Sequence, residues 1–190
     1  MNTPRQSDSS PLLRPADLPP VTQPRISTAN LNDIRLEAYD RPDILSLVAL
    51  MDDRQARLYA IACVERVLPI LDRAAPGWEY PAEALNVARR FAEGEATSDE
   101  LRQAEDAAWD AVGFIKGPAR EVANACAWTV SWDTAHDQNR LSDTRELKVL
   151  EAAAPCLIAV AMNEGKVAYD IEVAFQKQLA IEVLRGAFDD

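Results

Sequence analysis

Histidine is almost missing from this chain: His136 is the only one in 190 residues. That scarcity removes whole classes of chemistry. A di-iron four-helix site draws on two Glu-x-x-His motifs, and one histidine cannot serve both. The residue three before it is Asp133, not glutamate. Cysteine is nearly as rare. Cys63, Cys126 and Cys156 stand far apart, without the paired spacing of a zinc site. Each lies among alanines and aliphatics, where a free thiol behaves as a small buried hydrophobe. With an odd cysteine count and no secretion signal at the start, a reduced, cytoplasmic protein is expected. The chain has no P-loop, no G-x-G-x-x-G and no G-x-S-x-G. Its longest apolar run, residues 152–162, is too short to cross a bilayer. Neither a cofactor nor a metal is expected, and nothing suggests an enzyme or a membrane span.

Basic residues are also in deficit. Lys and Arg number 20 against 31 Asp and Glu, a formal charge of −11. Residues 1–30 carry Arg5, Arg14 and Arg25 against Asp8 and Asp17, a balance of +1, which leaves −12 on residues 31–190. Nucleic acid and anionic membranes would be repelled, since phosphate binding needs surplus Lys and Arg. The charge serves either solubility alone or a basic protein partner.

Glycines are few and aromatics sparse, while alanine, leucine and valine supply most of the apolar content, a mixture that suits helices. Six of the twelve prolines crowd into residues 1–30, which are expected to form an irregular tail. From Pro42 onward the pattern is helical. Pro42, Pro81 and Pro118 sit at first-turn positions, where a missing N–H costs nothing. Thr97 to Glu100 reads as a capping box, and Gly94 as a helix stop. Pro69 and Pro155 fall inside helical runs and predict kinks. The expectation is all-α: a single domain over 31–190 of six to seven mostly antiparallel helices, behind the tail of 1–30. Blocks 58–93 and 97–137 are both helix pairs, which leaves a stacked repeat open.

Two constellations carry the functional question. In the helix opened by Pro118, Trp128, Trp132 and His136 recur every four residues and so lie one above another. Trp132 and His136 share the apolar arc with Val122 and Cys126, and Trp128 sits at its edge. Asp133 could pair with His136 for proton transfer, or simply satisfy a half-buried imidazole; nothing nearby supplies a nucleophile or oxyanion donors. On the preceding helix, Asp99, Asp106 and Asp110 fall within about 40° of one another on the wheel, opposite Leu101, Ala104 and Ala108, with Trp109 flanking them. This stripe is either a solvated face or a docking face for a basic protein, with Trp109 and the edge-lying Trp128 as aromatic anchors.

The stretch from Tyr59 to Val112 adds a resemblance. Cys63, Glu65, Arg66, Val67, Leu68 and Pro69, then Pro81, Ala84, Ala88, Arg89, Phe91, Gly94 and Glu95, resemble the immunity proteins of bacterial polymorphic toxin systems. The resemblance implies a cytoplasmic antidote that binds and silences a cognate protein toxin, without catalytic residues of its own. An acidic inhibitor points toward a nuclease-like or otherwise cationic toxin. The alternative is a helical adaptor or regulatory subunit that uses its acidic surface and N-terminal arm. Oligomeric state is not legible.

Overall fold

The computed structural model describes residues 28–132 and 144–188. These form eight helices: α1 (Thr28–Tyr39), α2 (Pro42–Val48), α3 (Asp53–Ala74), α4 (Tyr80–Ala92), α5 (Ser98–Phe114), α6 (Pro118–Val130), α7 (Arg145–Glu164) and α8 (Lys166–Leu184). The all-α expectation holds. The proposed tail, 1–30, lies outside the described residues except for its last three positions, which begin α1. Sequence patterning starts its helices at Pro42 and leaves α1 unassigned. The reason is thin amphipathicity: among the described side chains of α1 only Ile34 and Ala38 are buried, while Leu36 and Tyr39 face out.

Local chemistry sets most boundaries. At the start of α3, Gln55 N–H donates to Asp52 Oδ1 (2.7 Å) and Asp52 N–H donates to the Gln55 amide oxygen (3.1 Å). The Thr97 box closes the same way: Glu100 N–H donates to Thr97 Oγ1 (3.2 Å), and Thr97 N–H to Glu100 Oε2 (2.8 Å). Between these boxes, α4 ends where Gly94 takes φ +76, the left-handed conformation glycine allows. Gly94 N–H then reaches the Phe91 carbonyl and Glu95 N–H the Arg90 carbonyl, a Schellman stop. Arg90 also donates to Glu100 Oε1 (2.9 Å), tying the end of α4 to the start of α5.

These contacts hold the Glu100 carboxyl down at about 2, chiefly through the Thr97 N–H and then Arg90. A depressed folded-state pKa gives stability that is present above the ordinary value of 4.5 and lost as pH falls toward 2. Thr97→Ala removes one half of the box and is expected to cost about 1 kcal/mol, read from urea denaturation at pH 7. No change in midpoint would show that the box does not hold α5.

Packing is organised around α7. Twelve of its twenty residues are buried, among them Ala152, Ala153, Cys156, Ala159 and Val160. A helix apolar on every side belongs at the centre, and α7 packs against α6, α3, α1, α8 and α2. Its alanines let neighbouring backbones approach. On one side, α3 and α6 close over it, and α4 and α5 pair outside them. On the other, Ile34 and Ala38 of α1 meet Leu150, Ala154 and Leu157 of α7 and Tyr169 of α8 in a second cluster. Because α3 touches α4, α6, α7 and α8, the arrangement is not the one-dimensional stack that a repeat protein would form. Pro69 sits inside α3, which continues to Ala74, so the Glu65 carbonyl lacks its usual i+4 donor.

Candidate functional site

Asp99, Asp106 and Asp110 are all exposed along one side of α5, opposite buried Leu101, Ala108 and Val112. The wheel therefore places the stripe correctly. It is not purely negative, because Arg102 Nη2 lies 3.5 Å from Asp99 Oδ1 one turn on.

The two tryptophans meet each other. Trp109 and Trp128 pack edge to face, ring centroids 5.1 Å apart at 89°. Trp109 Nε1–H donates to Ser131 Oγ (2.9 Å), which in turn donates to the Ala127 carbonyl. Both indoles are half-buried and pack against the main core. They fasten α5 to α6. Trp132 is buried, as expected, but α6 ends at Val130, so it sits in the turn after the helix and not on a continuing ladder. Arg57 from α3 lies over its ring, 5.0 Å from the centroid, and over Phe91 at 5.1 Å. Sequence reasoning missed Arg57, because its two aromatic partners come from α4 and from the turn after α6. The ladder's last rung, His136, and its neighbour Asp133 lie outside the described residues.

The three cysteines are free and fully buried, and burial pushes each thiol far above its ordinary value. Thiols so disfavoured as thiolates are poor nucleophiles and poor metal ligands. Among the described residues no group of three or more His, Cys, Asp or Glu is placed to hold a metal ion. No described helix is long and apolar enough to cross a membrane.

Two concavities bear on function. One, of about 390 Å³, runs between α3, α7 and α8 over Pro69, Ile70, Val160 and Phe175. Its rim charges are paired within the protein: Glu65 with Arg89 (2.7 Å), Glu164 with Arg73 (3.9 Å), and Arg66 with buried Glu172 (2.8 Å). The other, shallower and about 490 Å³, lies at the α3–α4 connector and is lined by Asp72, Gly77, Trp78, Glu79, Glu83 and Asn86, with Ala82. Here Gly77 adopts φ +84, and Trp78 N–H closes the turn onto the Ala75 carbonyl. Trp78 meets Phe114, the last residue of α5, edge-on at 6.5 Å. Phe114 is 79% exposed and Tyr80 56% exposed. A sequence reading passes over "APGWEYP" as a connector. The available signal was two aromatics among acids in a loop that no core pattern required.

The fold and these surfaces define an all-helical protein that presents carboxylates and aromatics outward and keeps its thiols inward. Within that class its family is identifiable. Residues 46–140, half of the chain, match the family described as "Imm-5 like putative immunity protein", and the chain belongs to that family. No curated protein and no solved structure matches it.

Proposed function

We propose that this protein is an antidote of the bacterial cytoplasm that neutralises a cognate toxin of a polymorphic toxin system by binding it, without catalysis. Membership of the immunity family over residues 46–140 carries this reading. The charge of −11 supports a cationic partner, a nuclease-like domain being the simplest case, because a toxin that grips phosphate is itself basic. In this reading Asp99, Asp106 and Asp110 form the steering face, and Trp109 and Trp128 hold that face rigid from the α5–α6 seam.

The direct test is co-expression with the toxin encoded beside the gene. Growth is restored by this chain if the proposal is right, and continued killing sinks it. A sharper expectation concerns the stripe. With Asp99, Asp106 and Asp110 changed together to Asn, association with that toxin slows by about tenfold at low ionic strength, while dissociation changes little. The side chains are exposed, so thermal stability should hold. An unchanged association rate would make the stripe a solvated face and nothing more.

A further inference from the structure

The acidic stripe does not end at Asp110. Phe114 is four residues further on α5 and so lies one turn along the same side. Through Phe114 the stripe joins Trp78 and the concavity of the α3–α4 connector. Three observations about this junction converge. Phe114 is the most exposed large hydrophobic among the described residues, yet its ring is already held against Trp78. Trp78 itself is half-buried and packs against the main core, so the aromatic pair rests on a fixed base. Asp72, Glu79 and Glu83 line the concavity beside it, are exposed, and engage in no ion pair with another described residue. Elsewhere on the molecule acids are commonly matched, as Glu65, Glu164, Glu37 and Glu121 are by Arg89, Arg73, Lys166 and Arg35. Of the bases nearest in sequence, Arg73 is turned to Glu164 and Arg89 to Glu65.

We propose that the Trp78–Phe114 pair and the concavity beside it are the anchoring point for a Lys/Arg-rich segment of the toxin. The inference rests on the antidote reading and names its surface. An exposed aromatic pair on a rigid base offers contact area at low entropic cost. A guanidinium or an alkyl-ammonium can lie on the rings while its charge meets Asp72, Glu79 and Glu83. The aspartates of α5 then act at longer range, raising the encounter rate, while the aromatic pair sets the dissociation rate. A nucleic acid is an unsuitable occupant, since its phosphates would face these unmatched carboxylates.

The test uses the full chain and the purified toxin encoded beside it, in catalytically dead form, with affinity measured by calorimetry. Phe114→Ala removes a side chain that contributes little to the core, so its melting temperature should match the wild type. Its affinity should fall by about tenfold or more, mostly through faster dissociation. Glu79→Lys with Glu83→Lys should weaken binding by a similar factor and flatten its salt dependence. Leu36→Ala, an exposed hydrophobic on α1, should bind as the wild type does. If the wild type binds and both connector variants bind equally well, the surface is wrong and the antidote reading stands. If the wild type does not bind, both fall together. A wild-type dimer in sedimentation that Phe114→Ala dissociates would overturn the proposal in favour of a second copy of this chain.

Discussion

Replacing Arg66 with alanine is expected to lower the unfolding free energy by about 3–5 kcal/mol at neutral pH, the cost of stranding a buried charge. The charge is Glu172 on α8, whose side chain has no exposed surface. Arg66 Nε donates to its Oε2 at 2.8 Å, and the guanidinium lies on the Phe175 ring, 3.8 Å from the centroid. Burial pushes the Glu172 carboxyl above its ordinary value of 4.5, and Arg66 opposes that push without cancelling it. Desolvation therefore outweighs pairing even in the native protein, and without Arg66 only the smaller help of the Gln176 amide remains against it.

The sign of the pH dependence follows. A carboxyl whose folded-state pKa is raised contributes stability below the unfolded value, and that contribution is lost as pH rises through the folded value. The Arg66→Ala penalty is thus greatest at pH 7 and above, and shrinks as pH falls toward 4.5, because Glu172 takes up its proton above that ordinary value. Adding Glu172→Gln to Arg66→Ala should recover much of the loss at pH 7, since a neutral amide of the same shape carries no charge to strand. Urea denaturation of the two variants at both pH values checks this. A penalty that is equal at both would assign the loss to packing on Phe175 alone.

Trp132→Ala is expected to be comparably damaging, at about 3–5 kcal/mol. The ring is 4% exposed, so its removal opens a cavity rather than a surface notch. It also uncovers one face of the Arg57 guanidinium, which is itself nearly buried and held between Trp132 and Phe91. Trp128→Ala, four residues earlier, should cost clearly less. Its ring is half-buried, and the Trp109 indole keeps its hydrogen bond to Ser131. Thermal denaturation of both variants decides the order, and a Trp128 loss as large as that of Trp132 would refute it.

That ranking was half legible beforehand. Helical spacing carried past the end of α6 places Trp132 inward with Val122 and Cys126, and it is buried although it stands in the turn after that helix. Spacing cannot find Arg57, whose position depends on how α3 lies against the turn after α6. The same division runs through the rest of the molecule. Helix starts at Pro42, Pro81, Pro118 and Thr97 could be read because the chemistry that makes them lies within four residues. The aspartate side of α5 could be read for the same reason. Trp109 bonds to Ser131, 22 residues away, and Trp78 meets Phe114 across a longer interval, so no local pattern foretold either. The α1 helix escaped notice because, among its described side chains, only two are buried apolar ones. The run "AAAPCLIAVAM" reads plainly as helix, but its place at the centre depends on what five other helices do.

The centrality of α7 bears on the order in which the molecule comes into being. Residues 46–140, where the family resides, include α3 and α6 but stop before α7 begins at Arg145. As the chain leaves the ribosome, α3 and α6 emerge with their inward faces open and wait for a helix still inside the exit tunnel. Only when Val149 to Ala161 has emerged can those faces be covered. The family segment by itself is therefore a ring without its axle. Under the proposed antidote function, protection comes from completed copies of this protein and not from nascent ones, and a message truncated shortly after residue 140 is expected to give none.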